Sequence, residues 1–219
     1  MFDALSQFES NRPVADFYCP CCRLEFELKG KAGPFGKVLV NGAYSVKMDR
    51  LASDATPNLT LLSYDPDSSR VVDLTLIPAR FFRPSIVERR RPLGPNARRA
   101  GWVGSNIRLD LIPNIGRIEM IRGGTVTDKT DVNRRWQRTA SVAYTPPEAR
   151  GWLADVMARV DRIEQKEFSL EQVYEYEEEL RTLYPRNANI RPKIRQQLQV
   201  MRDNGLLEFV GRGRYRKLP

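Results

Sequence analysis

Apolar and polar positions alternate in two short N-terminal stretches, VADFY (14–18) and LEFELK (24–29). That period of two predicts two strands joined by a turn that carries Cys19, Cys21 and Cys22. In KVLVNGAYSVKMDRLAS (37–53) the second half shifts to helical spacing, through Tyr44, Val46, Met48 and Leu51. LTLLSYD (59–65) and VVDLTLIP (71–78) are β-branched, apolar runs on either side of the turn cluster DPDSSR, and they predict central strands. Residues 80–104 are rich in Pro, Gly and Arg and predict a long loop, whereas GRIEMIRGGTVTD (116–128) predicts a hairpin around Gly123 and Gly124.

The pattern changes at Tyr144-Thr145-Pro146-Pro147. Thr145 can cap a helix entered through the prolines, with Trp152, Val156, Val160 and Ile163 at helical spacing. A second helix is predicted over 168–185 with Ser169 as its N-cap, and a third over 189–205 closed by Gly205. LLEFVGRGRYRKL (206–218) then reads as strand, turn, strand. Three helices followed by a basic hairpin is the order of a winged-helix module, and it places a domain boundary near residue 146, dividing the chain into 1–145 and 146–219.

Composition narrows the chemistry. A chain of 219 residues can build one large or two small domains without disulfide support. Its three cysteines crowd into four positions, which excludes a disulfide framework and makes a cytoplasmic setting the expectation. No apolar run approaches a membrane span, so no membrane association is expected. The net charge of +9 favours a polyanionic partner. There is no histidine, which removes Ser-His-Asp and Cys-His triads, histidine bases and histidine metal ligands together.

What remains is chemistry on carboxylates, lysine, arginine, cysteine or a bound metal. In LEFELK, Glu27 and Lys29 share one face of the strand, opposite Phe26 and Leu28, and Asp16 in the preceding strand can lean over the same spot. Asp16 and Glu27 are oxygen donors suited to Mg²⁺, and Lys29 can orient or activate a water for phosphodiester hydrolysis. The D-x10-E-x-K arrangement occurs in many nucleases, but alternating Glu and Lys on a half-exposed strand also occurs as a solvated surface pair. Cys19 and Cys22 form a C-x2-C half-site for Zn²⁺ that supplies only two of the four ligands a tetrahedral site needs, so a plain free-thiol turn stays open beside it.

The excess positive charge concentrates at the C-terminus, where nine basic residues from Arg186 onwards face only Asp203 and Glu208. On the third predicted helix Lys193, Gln196 and Gln197 share or adjoin one face, with Arg195 nearby, opposite Ile194, Leu198 and Met201. Basic side chains suit phosphates and glutamine suits a base edge. The hairpin tip, Arg212, Arg214, Tyr215, Arg216 and Lys217, can lie along a groove or backbone. A solvated basic face is the alternative.

The blocks NRPVADFYC, FELK, PLGPNARRAGWVGSNI, IRQQLQ and GRGRYRKL, in this order from about Phe8 to Leu218, resemble the DpnI-like family of methyl-directed type II restriction endonucleases. The resemblance implies an α/β fold: a PD-(D/E)XK nuclease core with a mixed sheet, followed by a C-terminal winged helix. It implies a monomeric enzyme of restriction–modification that cuts double-stranded DNA at GATC when the adenine carries an N6-methyl group. Asp16, Glu27 and the Leu28 carbonyl would hold Mg²⁺ and Lys29 would serve catalysis. Trp102 would stand against the methylated bases, with Arg98 and Arg99 on phosphates or guanine edges. Members of that family carry a further N-terminal segment with another Cys-x2-Cys, where this chain begins MFDALSQFES. The second expectation, of a different class, is a methyl-DNA reader or winged-helix regulator whose nuclease centre is impaired.

Overall fold

The computed structural model describes residues 5–9, 15–143 and 147–218. Val14 of the first predicted strand and the predicted helix entry at Thr145 and Pro146 lie outside them. The chain divides into two compact units, Met1–Ala140 and Ser141–Pro219.

The first unit is built on a seven-stranded mixed sheet. In chain order its elements are β1 (Ser6–Gln7), β2 (Phe17–Tyr18), β3 (Glu25–Ala32), β4 (Val38–Ala43), α1 (Tyr44–Ala52), β5 (Asn58–Tyr64), β6 (Val71–Ile77), β7 (Val87–Arg89), β8 (Gly104–Arg108), β9 (Ile118–Arg122), β10 (Thr125–Val126) and α2 (Lys129–Arg138). The large sheet runs β1-β2-β3-β5-β6-β9-β10, with β3 and β5 parallel and the other pairs antiparallel. The parallel pair arises because β4 and α1 intervene as a crossover, which a tight turn cannot replace.

Period two divides the sheet's faces. Phe26, Leu76 and Ile118 line one face and pack with Cys19 against Val132 and Trp136 of α2. The sequence pattern does not announce α2; its signals are the Asp128 side chain accepting from Thr130 N at the N-cap and an i, i+4 pair of buried apolar residues. On the opposite face stand Glu27 and Lys29, beside Leu59 and Leu61 of β5 in register.

The stretch predicted as a long loop, 80–104, is more ordered than its Pro/Arg content suggests. It holds single 3₁₀ turns at Ala79–Phe81 and Pro84–Ile86 and then β7, which pairs with β8 in a second sheet of order β4-β8-β7. Arg83, almost wholly buried, donates to the carbonyls of Phe81 and Leu111 at 3.0 and 2.9 Å. A buried guanidinium satisfied by carbonyls ties that segment down while its hydropathy stays polar.

In the second unit the elements are α3 (Ala140–Ala143), which begins one residue before it, α4 (Pro147–Arg162), β11 (Glu167–Ser169), α5 (Leu170–Tyr174), α6 (Glu177–Leu183), α7 (Ile190–Asp203), β12 (Leu207–Gly211) and β13 (Arg214–Lys217). The second predicted helix begins where expected, with a full capping box between Ser169 and Gln172, but it breaks between Tyr174 and Glu177 into α5 and α6. Helix α7 ends at Asp203, and Gly205 just beyond it takes a φ of +67°, which suits a residue without a Cβ. The hairpin β12–β13 gains β11 as a third strand, giving the order β11-β13-β12. The chain is mixed α/β, with a large mixed sheet in the first unit and helices followed by a three-stranded sheet in the second, as expected.

Candidate functional site

The cysteine turn brings β2 and β3 together and so places the acidic residues. Cys19 N donates to Leu24 O at 2.9 Å and Arg23 N to Cys19 O at 2.8 Å, with Arg23 at φ +60° to close the turn. The backbone N–H of Cys22 points at the Cys19 sulfur and holds that thiol below its ordinary range, while burial pushes the Cys22 thiol up. Cys19 is buried and Cys22 exposed at this turn. Among the described residues no group of three or more candidate ligands assembles, so these residues do not complete a zinc site.

Asp16 immediately precedes β2 rather than ending a long strand. Its N–H donates to Phe26 O at 2.9 Å, and its carboxylate Oδ2 accepts from Leu28 N at 2.7 Å. In an extended strand the N–H and C=O of one residue point to the same side, so the Leu28 carbonyl opens on the sheet edge where Asp16 sits. One position along, Glu27 turns to the other side and is 4% exposed. Its Oε1 lies 2.9 Å from Lys29 Nζ. Asp16, Glu27, Leu28 and Lys29 are therefore gathered within one short piece of β3 and the residue that flanks β2. The donor set, two carboxylates and a peptide carbonyl, is all oxygen, which fits a hard cation such as Mg²⁺. Glu27 Oε2 is buried without a hydrogen-bond partner.

A residue that sequence reasoning missed joins this set. Lys47 of α1 is 3% exposed and places Nζ 3.8 Å from Glu27 Oε2 and 4.7 Å from the centre of the Phe82 ring. Burial pushes the Lys47 ammonium below the ordinary lysine range, with Glu27 opposing that shift and Lys29 and Arg50 adding to it. The helical spacing through Tyr44, Val46 and Met48 points to an apolar inner face, but Val46 is exposed and Lys47 is inside.

In the 80–104 segment Arg99 stacks on Trp102, with its guanidinium carbon 5.0 Å from the ring centre. Trp102 is partly exposed and lies so close to β8 that a Cβ on Gly104 would stand 2.8 Å from its Cζ3. Arg98 is exposed on the same turn. Residues 2–145 match the family model described as DpnI, Dam-replacing family, and residues 148–217 match the Dam-replacing HTH domain. The chain belongs to the Dam-replacing family. That membership points to a methyl-directed restriction endonuclease with DNA as partner, and the helix-turn-helix match makes the second unit DNA-binding.

Within the Dam-replacing HTH domain the basic residues do not behave alike. Arg195 and Gln196 of α7 are exposed and Lys193 partly so, but Gln197 is 3% exposed and sits with Ile194, Leu198 and Met201 on the inner face. On β13, Tyr215 is also interior, stacked 5.6 Å from Phe168. Arg216 is bracketed by Glu167 at 2.9 Å and Glu208 at 2.8 Å, and the Lys217 ammonium donates to Ile163 O. Gln197 and Tyr215, expected to face DNA, are corrected to interior positions, whereas Arg216 and Lys217, also expected there, are partly exposed and engaged by groups of their own domain. Arg212 and Arg214, at the turn, remain exposed, with Arg214 only loosely associated with Glu167 at 4.0 Å.

Proposed function

We propose that this member of the Dam-replacing family is a Mg²⁺-dependent endonuclease that cleaves double-stranded DNA at GATC carrying N6-methyladenine. The observation that carries the nuclease reading is the junction of Asp16, Glu27 and Lys29, with Asp16 held on Leu28 N at 2.7 Å and Lys29 on Glu27 at 2.9 Å. Asp16, Glu27 and the Leu28 carbonyl would hold Mg²⁺, which on binding supplies Lewis-acid polarisation of a phosphate oxygen. Lys29, with a third of its side chain exposed, can leave Glu27 and present its ammonium to the attacking water. A new P–O bond forms from that water as the bond to the leaving deoxyribose oxygen breaks; the water's proton passes to solvent and the leaving oxygen takes one from solvent to become a hydroxyl.

The methyl specificity rests on the family resemblance and on one physical feature, a partly exposed indole wedged against Gly104. Such a flat apolar wall accepts an N-methyl group at little cost and gains nothing from an unmethylated amine. Exposed arginines at 98 and 99, and at 212 and 214, are suited to the DNA backbone. Cys19 and Cys22 would supply two of the four ligands of a Zn²⁺ site.

A second reading has its own observation: Glu27 is bound by lysines on both oxygens' sides, as a silenced carboxylate would be. Under it the protein reads methylated DNA without cutting. Binding of a methylated duplex in Ca²⁺ and its cleavage in Mg²⁺ separate the two. Binding with cleavage that disappears in Asp16→Ala supports the nuclease, and binding with no cleavage at any Mg²⁺ concentration supports the reader.

A further inference from the structure

Glu27 stands between two ammonium groups that differ in freedom. Lys29 touches Oε1 at 2.9 Å and its side chain is 35% exposed; Lys47 lies 3.8 Å from Oε2 and its side chain is 4% exposed. Lys47 is held in place by the wall behind it, the Phe82 ring 4.7 Å from Nζ, and Phe82 is itself buried. Neither Lys47 Nζ nor Glu27 Oε2 has a hydrogen-bond partner among the described residues. A buried ammonium left without an acceptor is costly, so its charge is set opposite Glu27 at a separation too long for a hydrogen bond.

Two-metal phosphodiesterases need ions about 3.5–4 Å apart, commonly bridged by one carboxylate with an ion on each oxygen. Lys47 occupies the space beside Oε2 with a fixed positive charge, and a divalent ion placed there would meet both its volume and its repulsion. Oε1 is different, because its partner Lys29 can move into solvent.

We infer that Lys47 confines this centre, read as held by Asp16 and Glu27, to a single divalent ion by keeping its own charge beside Glu27 where a second cation would go. Lys47 is thus a positioning residue: it acts through Glu27, keeping that carboxylate from bridging two ions. The inference rests on the reading of Asp16 and Glu27 as metal ligands.

The test is Mn²⁺ binding to the full chain, followed by the electron paramagnetic resonance of free ion, with thermal melting of each variant as a control for folding. The wild type is expected to bind one Mn²⁺, which Asp16→Ala removes. Lys47→Met and Lys47→Gln, both neutral so that misfolding of one leaves the other, are expected to take a second ion or to bind the first at least tenfold more tightly. Lys47→Arg, which keeps the charge, is expected to behave as wild type. Two ions on the wild type, or folded neutral variants with unchanged stoichiometry and affinity, overturn the role of Lys47 while leaving the nuclease reading intact. No ion on the wild type overturns both.

Discussion

A single hydrogen bond, from Leu28 N to Asp16 Oδ2, explains how two carboxylates eleven positions apart come to one place. It stands where the β2–β3 pairing ends, so the side chain of Asp16 continues the ladder that the backbone abandons. Asp16→Asn keeps a carbonyl acceptor for Leu28 N but removes the charge. It is expected to melt within a few degrees of wild type and to lose at least about a hundredfold in Mg²⁺-dependent cleavage, read by single-turnover kinetics. Strand period and hairpin closure are local properties, so the strand that carries Glu27 and Lys29 and its pairing beside Asp16 were legible in the sequence. Lys47 was not legible, since a lysine among apolar helical positions reads as surface until the carboxylate that draws it inward is known. Gln197 and Tyr215 failed for the converse reason: polar atoms signal exposure in a sequence, yet both side chains fill the interior of the second unit. Another buried polar cluster there yields a stability prediction. Asp155, fully buried, accepts from Tyr184 Oη at 2.6 Å and pairs with Arg159 at 3.2 Å. Asp155→Ala leaves a buried guanidinium short of its partner and is expected to cost about 3 kcal/mol in denaturant unfolding.

At the level of elements, the strands and the three-helix order were readable where one face is apolar and one polar. Two features escaped. Helix α2 is short and half charged, and only Val132 and Trp136 reach the core, so periodicity over ten residues is thin. The segment 80–104 looks like a loop because its order comes from a buried arginine and a three-residue strand, neither of which leaves a hydrophobic period. The capping box of α5, by contrast, is written in Ser169 and Gln172, and Ser169→Ala is expected to cost about 1 kcal/mol by the same denaturant measurement. The close approach of β8 to Trp102 carries a functional prediction. Gly104→Ala forces the indole to move, because its Cβ would lie within 3 Å of two ring carbons. The ratio of affinities for methylated and unmethylated duplexes, measured by anisotropy, is expected to fall at least about tenfold, with the weaker, unmethylated binding little changed.

For the whole molecule, the charge of +9 sets how DNA is approached and the exposed arginines set where. With Arg216 and Lys217 held by their own domain, Arg212 and Arg214 are the hairpin residues free to meet phosphate. Replacing both with alanine is expected to reduce the slope of log affinity against log salt by about 2, whereas Arg216→Ala changes that slope little and weakens the sheet instead. Among the described residues no helix is long and apolar enough to cross a membrane. Family membership spans both units, so the reading joins a catalytic part carrying Asp16, Glu27 and Lys29 to a DNA-binding part carrying α7 and the β12–β13 turn. The most direct trial of that reading mixes two duplexes of identical sequence with different fluorophores, one N6-methylated at the GATC adenines and one not, and adds the full chain with Mg²⁺. Cutting of the methylated strand pair alone, abolished by EDTA and by Lys29→Ala, is the predicted result. Equal cutting of both duplexes, or cutting that survives Lys29→Ala, would contradict it.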